Sequence, residues 1–360
     1  MKKRWKVLLC ILAALVLLVV GYLVYVLVAY HRIGDTMLAA ENNAKPAEFA
    51  EVQKDTPYSI MSYNVGFGAY EEDFGFFMDG GTESWAWSEQ RLMDNLAQIG
   101  ELLRKADADF YLLQEVDRDA TRSYHVDQQA LLAAYMGDRA QMWAQNYDSP
   151  FLFYPFTQPH GASVSGITTA SRYLVHDGQR IELPVEDSLM KLVDLDRCYS
   201  RCRIDVAGGG EMVLYNLHLS AYTSDGVVAV EQLKLLVEDM AAEAAKGNFV
   251  VCGGDFNKDL LGDSSKYFGV SGEEFTWAQP MLEGILDGTG LKLEVPFDEE
   301  KPIPSCRNAD GPYHPDQFQL TIDGFIVSDN VEVLSSTVVD TGFAYSDHNP
   351  VTMTFKLKSE

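Results

Sequence analysis

Eight polar residues stand where apolar runs of this chain end: Asn64, Glu115, His218, Asp255, Asn257, Asp323, Asp347 and His348. Carboxylates predominate, with amide and imidazole neighbours and no cysteine cluster. That donor set suits a hard, oxygen-seeking cation such as Mg²⁺ or Mn²⁺. A cation held this way offsets charge on a phosphate, a carboxylate orients or deprotonates a water, and an imidazole supplies charge or a proton. Any one of these residues alone is as well explained by a cap or a satisfied loop residue. Their recurrence at one kind of position points to a shared site. The clearest instance is Val250-Val251-Cys252-Gly253-Gly254-Asp255-Phe256-Asn257, an apolar run that closes in two glycines and then in Asp and Asn two residues apart. If extended, the chain turns both side chains to the same side.

Strands must deliver these groups. Tyr58 to Tyr63 alternates and ends at Asn64, and Phe110 to Gln114 ends at Glu115. Arg197 to Val206 and Met212 to Leu217 predict a hairpin through Gly208-Gly209-Gly210, the second strand leading to His218. Thr321 to Val327 carries Asp323, Val331 to Val339 follows, and Val351 to Lys356 closes the chain after Asp347-His348-Asn349-Pro350. A hairpin beside parallel connections makes the sheet mixed. Ligands of open α/β sheets bind outside the carboxyl ends of strands. Helices are expected after the N-cap Ser88, where Leu92, Leu96, Ile99 and Leu103 form one stripe, and from Val227 to Ala245, which ends before Gly247. Thr121 to Tyr135 is also expected to be helical. Ile167 to Tyr173 and Gln179 to Leu183 are expected to pair with each other around His176-Asp177-Gly178. Trp143 to Phe156 is aromatic-rich without clear periodicity, and Glu274 to Leu286 is ambiguous. The glycine-punctuated stretch from Gly66 to Trp87 either packs its rings on the domain or touches substrate.

The N-terminus reads as an anchor. Lys2, Lys3, Arg4 and Lys6 precede an uncharged run from Val7 to Tyr30, about 24 residues, enough to cross a hydrocarbon core of about 30 Å. The basic tip predicts a cytoplasmic N-terminus and an exported remainder at the cell membrane. The expected organisation is an anchor over 1–31, a linker over 32–56 and one catalytic domain over 57–360. Five of the 28 basic residues precede Gly34, so 23 face 53 acidic residues beyond the anchor. Such a surface repels nucleic-acid backbones. Cys198, Cys202, Cys252 and Cys306 show no zinc spacing and no spacing that supports a disulfide.

Six motifs then carry a resemblance: Ser62-Tyr63-Asn64-Val65, Leu112-Leu113-Gln114-Glu115-Val116, Asn216-Leu217-His218-Leu219-Ser220, Gly253-Gly254-Asp255-Phe256-Asn257, the Asp323 strand, and Ser346-Asp347-His348-Asn349-Pro350. In this order they resemble the endonuclease/exonuclease/phosphatase superfamily, which includes pancreatic-type deoxyribonucleases, abasic-site endonucleases, neutral sphingomyelinases and inositol-polyphosphate 5-phosphatases. The resemblance implies a four-layer α/β/β/α sandwich with two mixed sheets. It implies Glu115 as principal Mg²⁺ or Mn²⁺ ligand with Asn64 and Asp347, and Asn257 holding water and a phosphate oxygen. His218 contacts phosphate, and Asp323 orients His348. Either Asp255 or His348 is the base. Arg172 is structural, and Arg307, in a loop expected to face the substrate, is a candidate phosphate contact. The implied activity is hydrolysis of a phosphodiester or phosphomonoester by in-line attack of water; the acidic surface, the anchor and the two aromatic-rich segments favour a phospholipid, sphingolipid or other small phosphoester over DNA or RNA. The alternatives are an extracellular nuclease and a silent binding domain on the same fold.

Overall fold

The computed structural model describes residues 2–41, 43, 45–186, 195–221, 227–271 and 277–359. Three apolar clusters divide it into four layers, and strand periodicity explains how. Along Tyr58–Asn64, Tyr58 and Ile60 enter one cluster while Met61 and Tyr63 enter another. Along Phe110–Ala120, Phe110 and Leu112 separate in the same way from Tyr111 and Leu113. Along Phe249–Asp255, Phe249 and Val251 join the cluster that receives Tyr58, whereas Val250 and Cys252 turn to the opposite face. Both faces of these strands are therefore buried, which is why their sequences read as near-continuous apolar runs. The shared cluster lies between two sheets. Outside it, helix Glu89–Ala106 covers one sheet through Leu92, Leu96, Ile99 and Leu103, and helix Val227–Ala245 covers the other through Leu233, Leu236, Val237 and Met240. The fold is an α/β/β/α sandwich.

Both sheets are mixed. The six-stranded sheet runs Val331–Val338, Val351–Leu357, Tyr58–Asn64, Phe110–Ala120, Gly161–Ser171, Ala140–Leu152, with the Asn64 and Glu115 strands parallel. The larger sheet places Cys198–Val206, Glu211–His218, Phe249–Asp255 and Asp323–Ser328 side by side, with the His218 and Asp255 strands parallel. Within residues 32–56, Thr36–Leu38 pairs with His176–Glu182 and Glu51–Val52 pairs with Cys198–Val206. The apolar helix Lys2–Ala29 is long and apolar enough to cross a membrane.

Several local expectations are corrected. Ile167 to Tyr173 and Gln179 to Leu183 do not pair: Gly161–Ser171 is flanked on both sides within its own sheet, and His176–Glu182 belongs to the other. No free edge remains for the expected partner. Trp143 to Phe156 proves to be largely strand, Ala140–Leu152, whose register shifts at Gln145/Tyr147 and Ser149/Leu152 interrupt the alternation that would have marked it. Thr121 to Tyr135 is a single 3₁₀ turn, then Tyr124 and His125 at positive φ, then a helix only over Gln128–Tyr135. Residues 274–276 lie outside the described residues, and 277–286 are irregular chain and turn, with one isolated bridge from Pro280 to Asp259. All five cysteines are free, and the four beyond Cys10 are buried in separate clusters. The aromatic stretch mainly packs down: Phe67, Phe74 and Phe76 are buried together beneath the helix stripe.

Candidate active site

The residues that face the inter-sheet core along five strands end in the polar group. Stepping by two from Met212 and Leu214 leads to Asn216 and His218; from Phe249 and Val251, to Gly253 and Asp255; from Val327 and Phe325, back to Asp323. The register places Asp255 opposite His218 on one side and opposite Asp323 on the other. Across the sandwich, Tyr58 and Ile60 lead to Asn64 in the same manner, and Phe110 and Leu112 lead to Gln114. The site is thus the wet end of the space between the sheets. Glu115 has the wrong parity for it, and its φ of 56°, at a register break between Leu113 and Val116, turns it inward. Gly254 is required here: its φ is +149° and a Cβ would lie 2.2 Å from the Leu217 carbonyl oxygen.

Asn64 ties the two sheets together, its Nδ2 donating to Glu115 Oε1 at 3.1 Å and to Asp255 Oδ2 at 3.0 Å. Its Oδ1 accepts from the Gly66 amide at 3.0 Å. Asn64 therefore presents its donor end to the carboxylates, which suits orienting Glu115 better than offering an oxygen to a cation. His218 Nε2 lies 3.6 Å from Asp255 Oδ2 and 3.9 Å from Glu115 Oε1. On the far side, His348 Nε2 lies 3.7 Å from Asp255 Oδ2, and His348 Nδ1 is 2.8 Å from Asp323 Oδ2. The Ser305 hydroxyl donates to that same Asp323 oxygen at 2.7 Å. The chain does not stay extended after Asp255. It turns, with the Asn257 amide donating to Asp255 Oδ1 at 2.8 Å and Asn257 at φ 49°, and both residues still reach the cleft.

Protonation follows from these neighbours. Burial pushes the Asp255 carboxyl up to about 7, with His348 opposing. Burial likewise lifts Asp347 to about 7, helped by Glu115 and opposed by His348 and Arg307. For His348, burial works against the charged ring, but Asp323 and Cys306 hold it well above the ordinary imidazole value. Burial, Arg197 and His348 push His218 well below its ordinary value, so it is neutral. The His218 Nδ1 is buried without a partner among the described residues, and placing the proton on Nε2 avoids a buried unpaired N–H.

A second polar layer lies directly beneath. Gln114 Nε2 donates to Asn216 Oδ1 at 2.8 Å, and Asn216 Nδ2 donates to the Thr168 carbonyl at 2.9 Å, bridging the sheets where apolar packing gives way to the site. Above it opens a cleft of ≈ 1220 Å³ lined by Glu115, His218, Asp255, Asn257, Asp347 and His348, with Asn64 and Asp323 behind them. All eight residues singled out in the sequence converge on this one place. The model of the endonuclease/exonuclease/phosphatase family matches residues 61–348, from the Asn64 strand to His348. The chain belongs to that family.

No functionally curated protein matches the sequence. Among solved structures, an endonuclease/exonuclease/phosphatase from Beutenbergia cavernae is 20% identical with a TM-score of 0.57, over 84% of this chain and 72% of that one. The 2′,3′-cyclic phosphatase ANGEL2, solved with adenosine-2′,3′-vanadate, is 16% identical with a TM-score of 0.56, over 84% of this chain and 96% of its own. A family protein from Leptotrichia buccalis is 14% identical with a TM-score of 0.55, over 83% and 100%. At these identities the likeness is one of fold.

The site of this endonuclease/exonuclease/phosphatase-family chain has the character of a cation site. Among the described residues, no lysine or arginine is ion-paired with Glu115, Asp255 or Asp347. Among the described residues two sets of ligand atoms lie within 4.8 Å of one another, His176, Asp205 and Glu211 at the surface and Asp255, Asp323 and His348 in this site. Asp323 and a protonated His348 are committed to each other, however, and an imidazolium offers no lone pair. Glu115 and Asp347 are the hard oxygens left for a divalent ion, so the donor set fits Mg²⁺ or Mn²⁺. Arg307 lines the cleft, but its guanidinium donates to the backbone carbonyls of Asn308, Gly311, Glu71 and Phe74. That geometry makes it a brace for the aromatic loop. Lys258 was missed by sequence reasoning. It is 6% exposed, lines the cleft, has its ammonium depressed by burial and by Arg197, and makes no hydrogen bond among the described residues. Only its place directly after Asn257 could have marked it.

Proposed function

We propose that this chain is a metal-dependent phosphoesterase, anchored by its N-terminal helix, that hydrolyses a phosphodiester or phosphomonoester by in-line attack of water. The observation that carries the reading is the line Asp323–His348–Asp255: a carboxylate 2.8 Å from one imidazole nitrogen, and a second carboxylate 3.7 Å from the other. Asp255, with its carboxyl near neutrality, takes the proton of a water as that oxygen attacks phosphorus. Its raised value supports Asp255 over His348 as the base, because a protonated His348 has no lone pair to accept a proton and serves to stabilise charge on the phosphoryl oxygens. Neutral His218 donates from Nε2 to a phosphoryl oxygen. The Asn257 amide N–H fixes Asp255, and its side chain is set by the Leu219 carbonyl at 2.8 Å. Glu115 and Asp347 would hold Mg²⁺ or Mn²⁺, with Asn64 orienting Glu115, and the ion would supply charge neutralisation at the phosphate.

The acidic balance beyond the anchor, 23 basic against 53 acidic residues, favours a phospholipid, sphingolipid or other small phosphoester over nucleic acid. The basic tip Lys2 to Lys6 favours a cytoplasmic N-terminus and an extracytoplasmic domain, which protease added outside intact cells would then remove. The deciding experiment presents purified full-length protein with plasmid DNA, sphingomyelin, phosphatidylinositol and inositol phosphates. Glu115→Ala and Asp255→Asn are run in parallel. Hydrolysis of one class, lost in both variants, is the expected result; activity that survives Glu115→Ala overturns the site.

A further inference from the structure

The apolar helix does not stand apart from the domain. The Tyr22 hydroxyl donates to the Phe151 carbonyl at 3.1 Å and accepts from the Phe153 amide at 3.1 Å, while the Tyr25 hydroxyl accepts from the Phe151 amide at 3.1 Å. The Tyr22 and Phe153 rings meet edge to face at 5.4 Å. The helix is therefore joined to the tip of the hairpin between strands Ala140–Leu152 and Gly161–Ser171. From Ser149 to Pro159 that tip carries no charge, and Phe153, Tyr154 and Phe156 are 54%, 61% and 85% exposed. Water is a poor solvent for three adjacent exposed rings.

The helix determines where the tip sits. Tyr22 lies eight residues before Tyr30, the last residue of the uncharged run, and at 1.5 Å per residue that is about 12 Å inside the end of the apolar segment. A loop bonded to Tyr22 is carried to that depth whenever the helix spans. Its backbone suits such a place, since the two tyrosines satisfy three of its polar groups where water would not. Charge resumes just beyond: His31 Nε2 lies 3.0 Å from Asp148 Oδ2, and Arg32 Nη2 donates to the Leu183 carbonyl at 2.8 Å. Aromatic and tyrosine-rich surface followed by an abrupt line of charge is the profile of a membrane interface.

We propose that residues 151–156 form a second membrane contact, immersed in the bilayer leaflet that the helix's C-terminal end crosses. The contact seats the cleft against the lipid surface: Tyr154 packs on Phe77 at 5.8 Å, Phe77 on Phe76 at 4.7 Å, and Phe76 and Met78 line the cleft that holds Asp255. The inference rests on the reading that the helix spans, and it adds a fixed orientation to that reading. A phosphoester headgroup at the bilayer surface then lies beside the catalytic carboxylates without the lipid leaving the membrane.

The test uses the full chain in phosphatidylcholine bilayers, in a Cys10→Ala background whose remaining four cysteines are buried. A nitroxide is attached at Phe156→Cys, at Val16→Cys within the helix, or at Lys246→Cys, whose side chain is 60% exposed at the end of the helix on the outer face of the other sheet. Collision rates with O₂ and with a water-soluble Ni²⁺ chelate are then compared. The expected result is an O₂-to-Ni²⁺ ratio at 156 that matches position 16 and is several-fold above position 246. A water-like ratio at 156 with a lipid-like ratio at 16 overturns the inference while leaving the anchor intact. Water-like ratios at both positions overturn the anchor reading and the inference with it.

Discussion

Replacing Asp323 by Asn tests the protonation argument at its centre. Asn keeps the volume and an oxygen that accepts from His348 Nδ1, so the change removes charge and little else. The lost partner is 2.8 Å from the ring and both side chains are almost fully buried, at 2% and 6% exposure. An opposite charge this close shifts a partner's pKa by about one to three units. Taking about two, His348 loses about 2.7 kcal/mol of preference for its charged form. If the imidazolium is what stabilises the phosphoryl oxygens, that corresponds to about a hundredfold lower kcat at pH above the wild-type alkaline limb and little change well below the shifted one, with KM within a few-fold. The assay is kcat against pH for wild type and Asp323→Asn on the substrate that the panel identifies. Activity requires Asp255 deprotonated and His348 protonated, so the alkaline limb is the one that moves, downward by about two pH units. Stability follows the same sign. The raised folded value of His348 contributes below its unfolded value, about 6.5, and that contribution fades as pH rises through the folded value. The urea deficit of Asp323→Asn is therefore largest near pH 6 and shrinks above it. A loss of kcat with an unmoved alkaline limb refutes the role given to His348.

Three further outcomes are expected. EDTA abolishes hydrolysis and Mg²⁺ or Mn²⁺ restores it, and because Asp347 is lifted to about 7, half-saturation needs more metal at pH 6 than at pH 8; full activity in chelator removes the cation from the scheme. For Glu243, burial alone raises the carboxyl, but hydrogen bonds from Arg203, Lys246 and Asn248 outweigh it and bring it down to about 2. Its contribution is present above the unfolded value of 4.5 and lost toward pH 2, about 2 kcal/mol after allowance for screening, so Glu243→Gln costs that amount in urea unfolding at pH 7 and almost nothing near pH 2. Lys258→Met raises KM for an anionic substrate about tenfold, the worth of one charge-assisted hydrogen bond, with kcat within twofold; an unchanged KM places its ammonium outside the substrate's reach.

Much of the site was legible along the chain because chemistry and periodicity coincide there. Each of the Asn64, Glu115, His218 and Asp255 strands is an apolar run that stops at a polar residue, and a strand buried on both faces has no other way to end at a functional group. The apolar N-terminal helix was legible for the same reason, since about 24 uncharged residues satisfy the length requirement of a membrane span without needing a partner. What sequence could not supply was pairing between distant segments. The inter-sheet face common to Asp255 and Asn64 exists only because Phe249 and Val251 pack against Tyr58 and Ile60 from the other sheet. The Ala140–Leu152 strand was obscured by its own register shifts, and the turn of Glu115 into the cleft depends on a backbone angle that no residue type announces. Arg307 shows the same division: its charge and loop suggested a phosphate contact, while two backbone carbonyls of its own loop and two of the distant Glu71 and Phe74 determine where its guanidinium points. Residue type and period settle what a segment buries and what it can carry. Which groups meet, and with what charge, is decided by the long-range packing that sets register, burial and neighbours.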